Sequence, residues 1–188
     1  MGWGTRRFPF LPGRGPVAMV VRTMSVHEHH RHDAPSAGCA VLTISDTRTE
    51  ETDGSGRCIR ELLAAHGHRV EHYQILKDEP GLITAAIQAL PSAAQVVIIN
   101  GGTGLARRDA TYEAVSRLLE KEITGFGELF RMLSYEQIGA AAMLSRATAG
   151  VVGNRVVFSL PGSTAAAELA MTKLIVPVLG HVVGLVRG

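Results

Sequence analysis

The segment Gln-Val-Val-Ile-Ile-Asn at positions 95–100, followed directly by Gly-Gly-Thr-Gly at positions 101–104, decides the fold class. Four consecutive β-branched residues between polar ones are typical of a short strand that is buried on both faces. Strands of this kind belong to parallel sheets that are covered by helices. Because ligands bind beyond the carboxyl ends of the strands in such sheets, the glycine-rich segment is predicted to border a ligand site.

Strand and helix patterns alternate before this segment. Residues 40–44 and 69–76 predict strands, and residues 81–90 predict a helix. Another helix is predicted to begin at the turn 53–56 and to end at Gly67, because its apolar residues follow helical offsets. This alternation predicts an α/β domain with three layers, in which helices flank a mostly parallel central sheet.

The second half of the chain adds helices and a small β-hairpin. Helices are predicted over 111–122 and 126–138, and the hairpin over 147–151 and 155–160. The final stretch, to about Val186, is apolar on nearly all sides, and Pro177 is expected to kink or split it. Such a helix must be buried, and an interface between subunits is the expected cover.

Composition and charge argue against several classes of function. The 188 residues are 46% hydrophobic and 19% charged with a net charge of +2, which fits one ordinary domain with a flexible end. The scattered arginines form no basic stripe, so nucleic acid is not an expected partner. The longest purely apolar runs are strand-sized, so no membrane-spanning segment is expected. The two cysteines, Cys39 and Cys58, are typical of buried thiols in a reducing compartment, and a cytoplasmic location is expected.

The first 37 residues differ from the rest and are predicted to form a flexible N-terminal tail, with the folded domain over 38–188. Four histidines lie between positions 27 and 32. They predict either a transition-metal site or a solvated tail with adventitious metal affinity. Met19 and Met24 are alternative start sites.

The glycine-rich segment 101–104 is suited to a ligand, because glycines let backbone amides approach phosphate closely. A merely tight connection between elements is the alternative. The segment lacks the spacing of a dinucleotide fingerprint and the terminal Gly-Lys-Ser/Thr of a phosphate-binding loop. A generic nucleotide-binding oxidoreductase is therefore disfavoured.

The residues that follow resemble a known family. Asn-Gly-Gly-Thr-Gly-Leu-Ala-Arg-Arg-Asp at 100–109 is similar to the signature of the MoaB/MogA family of molybdenum-cofactor biosynthesis, which is related to the gephyrin G domain. The resemblance covers about residues 38–185, with further matching motifs at 42–47, 125–134, 143–146 and 160–163. The stretch 125–139 and the motif Pro-Gly-Ser-Thr that begins at Pro161 resemble MoaB more than MogA.

This resemblance implies an activity and its substrates. Members bind molybdopterin, and active ones transfer AMP from ATP to its terminal phosphate with Mg²⁺. Asp78 and Asp109 match the two acidic positions that the family uses for catalysis, and we expect them to hold Mg²⁺; helix capping is the alternative for each. Lys77 stands where the family commonly has Pro. The presence of Asp78 favours an active adenylyltransferase over the second hypothesis, a non-catalytic molybdopterin carrier.

Further binding residues are expected from the turns after strands and from matches to the family. The acidic turn 53–56 lies at a predicted helix N-terminus, where it suits an anion or acts as a plain N-cap. Arg146 is expected to clamp phosphate in a bidentate fork or to form a salt bridge. The expected partners are a trimer or dimer of trimers of this chain and other molybdenum-cofactor enzymes. The candidate binding residues are Ser45, Asp46, Asp53, Gly54, Ser55, Gly56, Gly101, Gly102, Thr103, Gly104, Glu128, Ser134, Ser145, Arg146, Pro161, Gly162 and Ser163.

Overall fold

A computed structural model describes residues 36–187 of the chain, and the predictions for the tail and its histidines lie outside these residues. The strands are β1 Gly38–Ile44, β2 Arg69–Leu76, β3 Val96–Asn100, β4 Lys121–Glu122, β5 Thr148–Val152 and β6 Arg155–Leu160. The α-helices are α1 Gly54–Ala65, α2 Pro80–Ala89, α3 Thr111–Leu118, α4 Thr124–Ile138, α5 Thr164–Ala170 and α6 Leu179–Arg187. A 3₁₀ turn (Gly139–Leu144) follows α4, and a π-helical turn (Met171–Ile175) and a 3₁₀ turn (Val176–Val178) join α5 to α6.

The six strands form one sheet in the order β2-β1-β3-β6-β5-β4. The first four strands in this order run parallel, and β5 and β4 are antiparallel additions at one edge. The predicted mostly parallel α/β fold is confirmed. The predicted hairpin, β5–β6, is built into this sheet, because β6 pairs with β3 in a register that places Leu160 beside Asn100. The turn after β6 therefore leaves the sheet at the same edge as the glycine-rich loop after β3.

Hydrophobic cores on both faces of the sheet produce the three layers. On one face, Ile59 of α1, Phe130 of α4 and Met171 of the π-helical turn share a core with alternate residues of β1, β3 and β6. On the other face, Ile87 of α2 and Val115 of α3 share a core with other apolar residues of these strands, among them Leu42, Ile99 and Val157. Every residue of β1 and β3 is buried, which explains their apolar sequences.

Two boundaries differ from the sequence prediction. The helix predicted over 111–122 ends at Leu118, because Lys121 and Glu122 pair with β5 as the edge strand β4. Ser36 and Ala37, which were assigned to the tail, make contacts within the fold. The Ser36 hydroxyl donates to the carbonyl oxygen of Gly67 at 2.7 Å, and Ala37 is fully buried.

The apolar C-terminal stretch keeps a helical backbone throughout, but π-helical and 3₁₀ turns interrupt its α-helical geometry between α5 and α6, and the 3₁₀ turn contains Pro177. No segment that could span a membrane was expected from the sequence. Within the described residues, however, Thr164–Val186 is long and apolar enough by length and composition alone. Its residues Ala167, Ile175 and Leu179 pack into the core under the sheet. Its burial by a second subunit stays a prediction.

Candidate functional site

A cleft of about 690 Å³ opens at the carboxyl edge of the sheet. Three of its walls follow the adjacent parallel strands β1, β3 and β6, as expected for an open α/β sheet. The fourth wall is α4 with the 3₁₀ turn that follows it. The predicted binding residues that line this cleft are Ser45, Gly101, Gly102, Thr103, Gly104, Ser134, Ser145, Pro161, Gly162 and Ser163, together with Asp109.

The glycine-rich loop is held against the ends of β1 and β6. Gly101 has a φ of 107° and Gly102 a φ of 64°, which L side chains rarely adopt. A methyl group on Gly101 would overlap the carbonyl oxygen of Ile44 at the end of β1. The Gly101 amide donates to the carbonyl oxygen of Leu160 at the end of β6, at 3.0 Å. Only glycine at position 101 therefore allows this close packing.

Asp78 and Asp109 both contact this loop. A methyl group on Gly102 would overlap Asp78 Oδ2, and one on Gly104 would overlap Asp109 Oδ2. The loop residues can lie beside the carboxylates because they lack side chains. The structure thus places two acidic residues that are 31 positions apart in the chain beside one loop, and of the two only Asp109 lines the cleft.

The capping alternative for these two carboxylates is wrong in its original form. The residues at the N-cap positions of α2 and α3 are Glu79 and Ala110, and neither side chain caps its helix. Asp78 instead reaches across to α3, where its Oδ1 accepts from the amide of Ala110 and the hydroxyl of Thr111, each at 3.2 Å. Asp109 Oδ2 accepts from the Ala106 amide at 3.1 Å within its own loop.

The pKa of Asp78 is raised above its ordinary value. Burial is the largest cause, and the negative charges of Asp109 and Glu113 add to it, while the hydrogen bonds from Ala110 and Thr111 oppose it. A nearby cation stabilises a carboxylate whose negative charge is poorly compensated. Asp78 is therefore a suitable partner for a cationic group.

The donor set fits Mg²⁺ that is shared with a phosphate ligand. Among residues 36–187, no group of three or more His, Cys, Asp or Glu side chains is arranged to hold a metal ion. Mg²⁺ is usually held by one or two carboxylates together with substrate phosphates and water, and not by an all-protein cage. In the described part of the chain, Asp78 Oδ2 and Asp109 Oδ1 accept no protein hydrogen bond, so one oxygen of each is available.

Asp53 lies behind the cleft wall and not in it. Its side chain is fully buried, and it is the N-cap of α1, because its Oδ1 accepts from the Gly56 amide at 2.9 Å. Burial raises its pKa, but the hydrogen bonds from Thr43, Gly56, Tyr73 and Ser55 outweigh this effect, so the pKa is lowered. The prediction that the turn 53–56 contacts a ligand is corrected: Ser55 and Gly56 are also buried, and Gly54 lies outside the cleft.

Arg146 and Glu128 also lie outside this cleft, and the guanidinium of Arg146 is bound by the protein itself. Its guanidinium donates to the carbonyl oxygens of Thr103 (3.1 Å), Gly104 and Asp109 (3.2 Å), and it forms an ion pair with Glu113. The salt-bridge alternative is the one observed. Arg146 thus fixes the glycine-rich loop from outside, where it borders a second cavity of about 400 Å³ together with Glu128.

Asp46 differs from its prediction as well, since it does not line the cleft. Its carboxylate forms an ion pair with Arg108, and its Oδ1 accepts from the Asp78 amide at 3.3 Å. Asp46 therefore connects the turn after β1 with the turn after β2.

Arg48 was not predicted from sequence, but it lines the cleft. Its Nη1 donates to the Ser55 hydroxyl at 2.5 Å and to Asp53 Oδ1 at 3.3 Å, and its Nη2 donates to the Gly162 carbonyl oxygen at 2.8 Å. A single arginine in a polar turn has the pattern of a solvated residue. The signal that was available is its position four residues after the end of a buried strand.

The chain is similar to known proteins over its described part. A family model described as "Probable molybdopterin binding domain" matches residues 40–181. A relative from Bacillus cereus, molybdenum cofactor biosynthesis protein B, is 56% identical over 162 residues, which are 85% of this chain and 96% of the relative.

Solved structures agree with this match. The crystal structure of a molybdenum cofactor biosynthesis protein B has a TM-score of 0.80 and 55% identity, and covers 82% of this chain and 99% of its own. The crystal structure of the tungsten cofactor synthesizing protein MoaB from Pyrococcus furiosus has a TM-score of 0.72 and 38% identity, and covers 81% and 98%. The residues matched by the family model include all three strand-following walls of the cleft and both carboxylates.

Proposed function

We propose that this chain transfers AMP from ATP to molybdopterin. The chain belongs to the molybdopterin-binding family of molybdenum cofactor biosynthesis proteins and resembles its MoaB members. A role in molybdenum cofactor biosynthesis follows from the family itself. One observation carries the finer proposal: Asp78 and Asp109 contact the same glycine-rich loop, which lines the cleft.

The residues of the cleft support each requirement of this reaction. The amides of Gly102, Thr103 and Gly104 in the loop and of Gly162 and Ser163 in the turn suit the oxygens of phosphate and the polar edge of a pterin. An oxygen of the terminal phosphate of molybdopterin attacks the α-phosphorus of ATP, a new P–O bond forms, and the bond to pyrophosphate breaks. Both reacting groups belong to substrates, so the task of the protein is to position them and to stabilise charge.

Asp78 and Asp109 would hold Mg²⁺ through their available oxygens. Mg²⁺ supplies positive charge that offsets the negative charge developing on the phosphate oxygens. Arg146 and Glu113 contribute indirectly, since the bonds of Arg146 to three loop carbonyls hold the loop beside both carboxylates.

Replacing each carboxylate by its amide tests the proposal. Asp78→Asn and Asp109→Asn keep the shape of the side chain and remove one negative charge each. Because metal-assisted charge stabilisation is worth several kcal/mol, adenylyl transfer should fall by roughly two to four orders of magnitude. Molybdopterin affinity should change less than about threefold, since the loop and the turn 161–163 remain. Glu61→Gln, an exposed change on α1, is the matched control and should leave both quantities unaltered.

The measurements are pyrophosphate release, formation of adenylylated molybdopterin, and molybdopterin affinity. Full turnover in both Asp variants would disprove the catalytic assignment. No turnover in the unaltered protein, with molybdopterin still bound, would identify the non-catalytic carrier instead.

A further inference from the structure

Arg48 is the one cationic side chain among the described residues that line the cleft, and Asp109 is the one anionic side chain. The substrates of the proposed reaction are both phosphorylated, so the ligands bring several negative charges into this space. A positive group at the cleft wall would offset part of this negative charge.

The protein holds the guanidinium of Arg48 in a fixed orientation. It donates to Asp53, to the Ser55 hydroxyl and to the Gly162 carbonyl oxygen, so it joins the turn after β1 to the turn after β6. The side chain of Arg48 is 30% exposed to solvent, whereas that of Asp53 is fully buried. Preorganisation of this kind reduces the conformational entropy that a ligand contact would otherwise cost.

Arg48 is not required to neutralise Asp53. The carboxylate accepts from four other donors: the Thr43 hydroxyl at 2.5 Å, the Tyr73 hydroxyl at 2.8 Å, the Gly56 amide at 2.9 Å and the Ser55 hydroxyl at 3.1 Å. These four bonds outweigh the effect of burial and lower the pKa of Asp53. Asp53 would therefore keep four hydrogen bonds if Arg48 turned toward a ligand, and Arg48 lines the cleft with its side chain partly exposed.

Arg48 also keeps free donors. A guanidinium has five N–H groups, and three hydrogen bonds to the protein are present within the described residues, which leaves two N–H groups. Two N–H groups on one planar cation match two oxygens of a phosphate group. The Gly162 turn that Arg48 holds lies directly against the glycine-rich loop, because a methyl group on Gly162 would be 3.2 Å from Gly101 Cα.

We propose that Arg48 is a substrate-binding residue that contacts a phosphate group of the ligand in the cleft. The assignment rests on the proposed function only for the identity of the ligand, since molybdopterin and ATP both carry phosphate. The shared chemistry is a phosphoryl oxygen bound by a guanidinium that the protein has already oriented.

Inorganic pyrophosphate with Mg²⁺ is the first probe, because it tests phosphate binding without any pterin chemistry. Calorimetric titration of Arg48→Gln should give a pyrophosphate Kd at least about tenfold higher than that of the unaltered protein, since a hydrogen bond to a charged group is lost. Arg57→Gln removes the same charge from the exposed surface of α1 and is the matched control, with an expected change below about twofold. Circular dichroism verifies that both variants are folded at the titration temperature.

Two further titrations identify the source of the phosphate. Weaker binding of molybdopterin alone assigns Arg48 to the pterin phosphate, and weaker binding of ATP alone assigns it to the nucleotide. Equal pyrophosphate affinity in Arg48→Gln and the unaltered protein, or an equal loss in Arg57→Gln, would overturn the assignment.

A measurement on the unaltered protein covers the case in which Arg48→Gln does not fold. Pyrophosphate should slow the reaction of Arg48 with phenylglyoxal, mapped by mass spectrometry, and leave the reaction of Arg57 unchanged. No protection of Arg48 would refute the proposal. The proposed adenylyl transfer is judged separately by turnover, so either claim can fail while the other stands.

Discussion

The substitution Gly101→Ala tests whether the close packing of the glycine-rich loop against β1 is as tight as the structure indicates. Two separate costs arise at this position. The φ of 107° is unfavourable for any residue with a Cβ atom. The new methyl group would also overlap the Ile44 carbonyl oxygen and lie 3.1 Å from its carbon, well inside the optimal 3.5–4.0 Å between carbon atoms.

The magnitude follows from these two costs. A strained backbone conformation costs about 1–3 kcal/mol, and forcing atoms into a packed region costs about 1–3 kcal/mol more. The free energy of unfolding should therefore fall by roughly 2–6 kcal/mol, out of a total of about 5–15 kcal/mol for a typical protein. Because each kcal/mol shifts Tm by about 2–4 °C at this chain length, a large decrease in Tm is expected.

Two control substitutions separate the costs. Gly67→Ala carries only the backbone cost, since Gly67 has a φ of 77° but open space around it, so a loss of about 1–2 kcal/mol is expected. Gly81→Ala carries neither cost and lies within α2, so stability should stay constant or rise by up to about 1 kcal/mol. Urea unfolding followed by circular dichroism, at one protein concentration, measures all three. A Gly101→Ala variant no less stable than Gly67→Ala would refute the close contact with Ile44.

Three further predictions concern charge and association. Asp53→Asn should lower the free energy of unfolding by about 2–4 kcal/mol at pH 7. Because the pKa of Asp53 is depressed in the folded state, the advantage of the native carboxylate is present above the ordinary pKa of 3.8 and is lost as the pH falls through the folded pKa. Melting curves of both proteins from pH 7 to pH 2.5 would check this. Asp78→Asn should raise Tm at pH 7 and lose that gain below pH 3.8, because a raised pKa in the folded state means that the charged carboxylate destabilises the fold at neutral pH. The same Tm difference between variant and unaltered protein at pH 7 and below pH 3.8 would contradict this. Light scattering should report an assembly of at least three chains, and Met132→Glu should reduce the mass of that assembly. The reason is the exposed apolar surface on α4, where Leu129, Met132 and Tyr135 expose 47%, 56% and 63% of their surface. A monomeric unaltered protein would contradict this prediction.

The parallel sheet was predictable from sequence because β1 and β3 are buried at every residue, so local composition alone identifies them. The edge strand β4 was not predictable in this way. Lys121 and Glu122 continue a helical pattern in sequence, but they pair with Val151 and Gly150 of β5, about 30 residues later. Such pairing depends on tertiary contacts that local propensity does not contain.

The site was predictable to a similar degree. The three loops of the cleft follow from the rule for parallel sheets, and the pair Asp78 and Asp109 was expected from the family resemblance. The partners of individual side chains were not predictable, because they are distant in sequence. Arg146 binds the carbonyl oxygen of Thr103, 43 residues away, and Asp78 binds Thr111, 33 residues away. Sequence motifs indicate which residues are special but not which direction each side chain faces.

The contact between each carboxylate and a glycine links the evolution of the two positions. Gly102 provides the space for Asp78, Gly104 for Asp109, and Gly56 for Asp53. A side chain at Gly102 would overlap Thr111 Oγ1 as well as Asp78, so a smaller residue at position 78 removes only part of the cost. The double change Gly102→Ala with Asp78→Ala should therefore still destabilise the fold, but by less than the sum of the single changes. If the proposed adenylyl transfer is correct, a descendant that abandoned it would be free to lose both members of the 78–102 and 104–109 pairs. The 53–56 pair would persist, since it stabilises the fold. The order in which these pairs decay would therefore record whether a lineage gave up catalysis or stability.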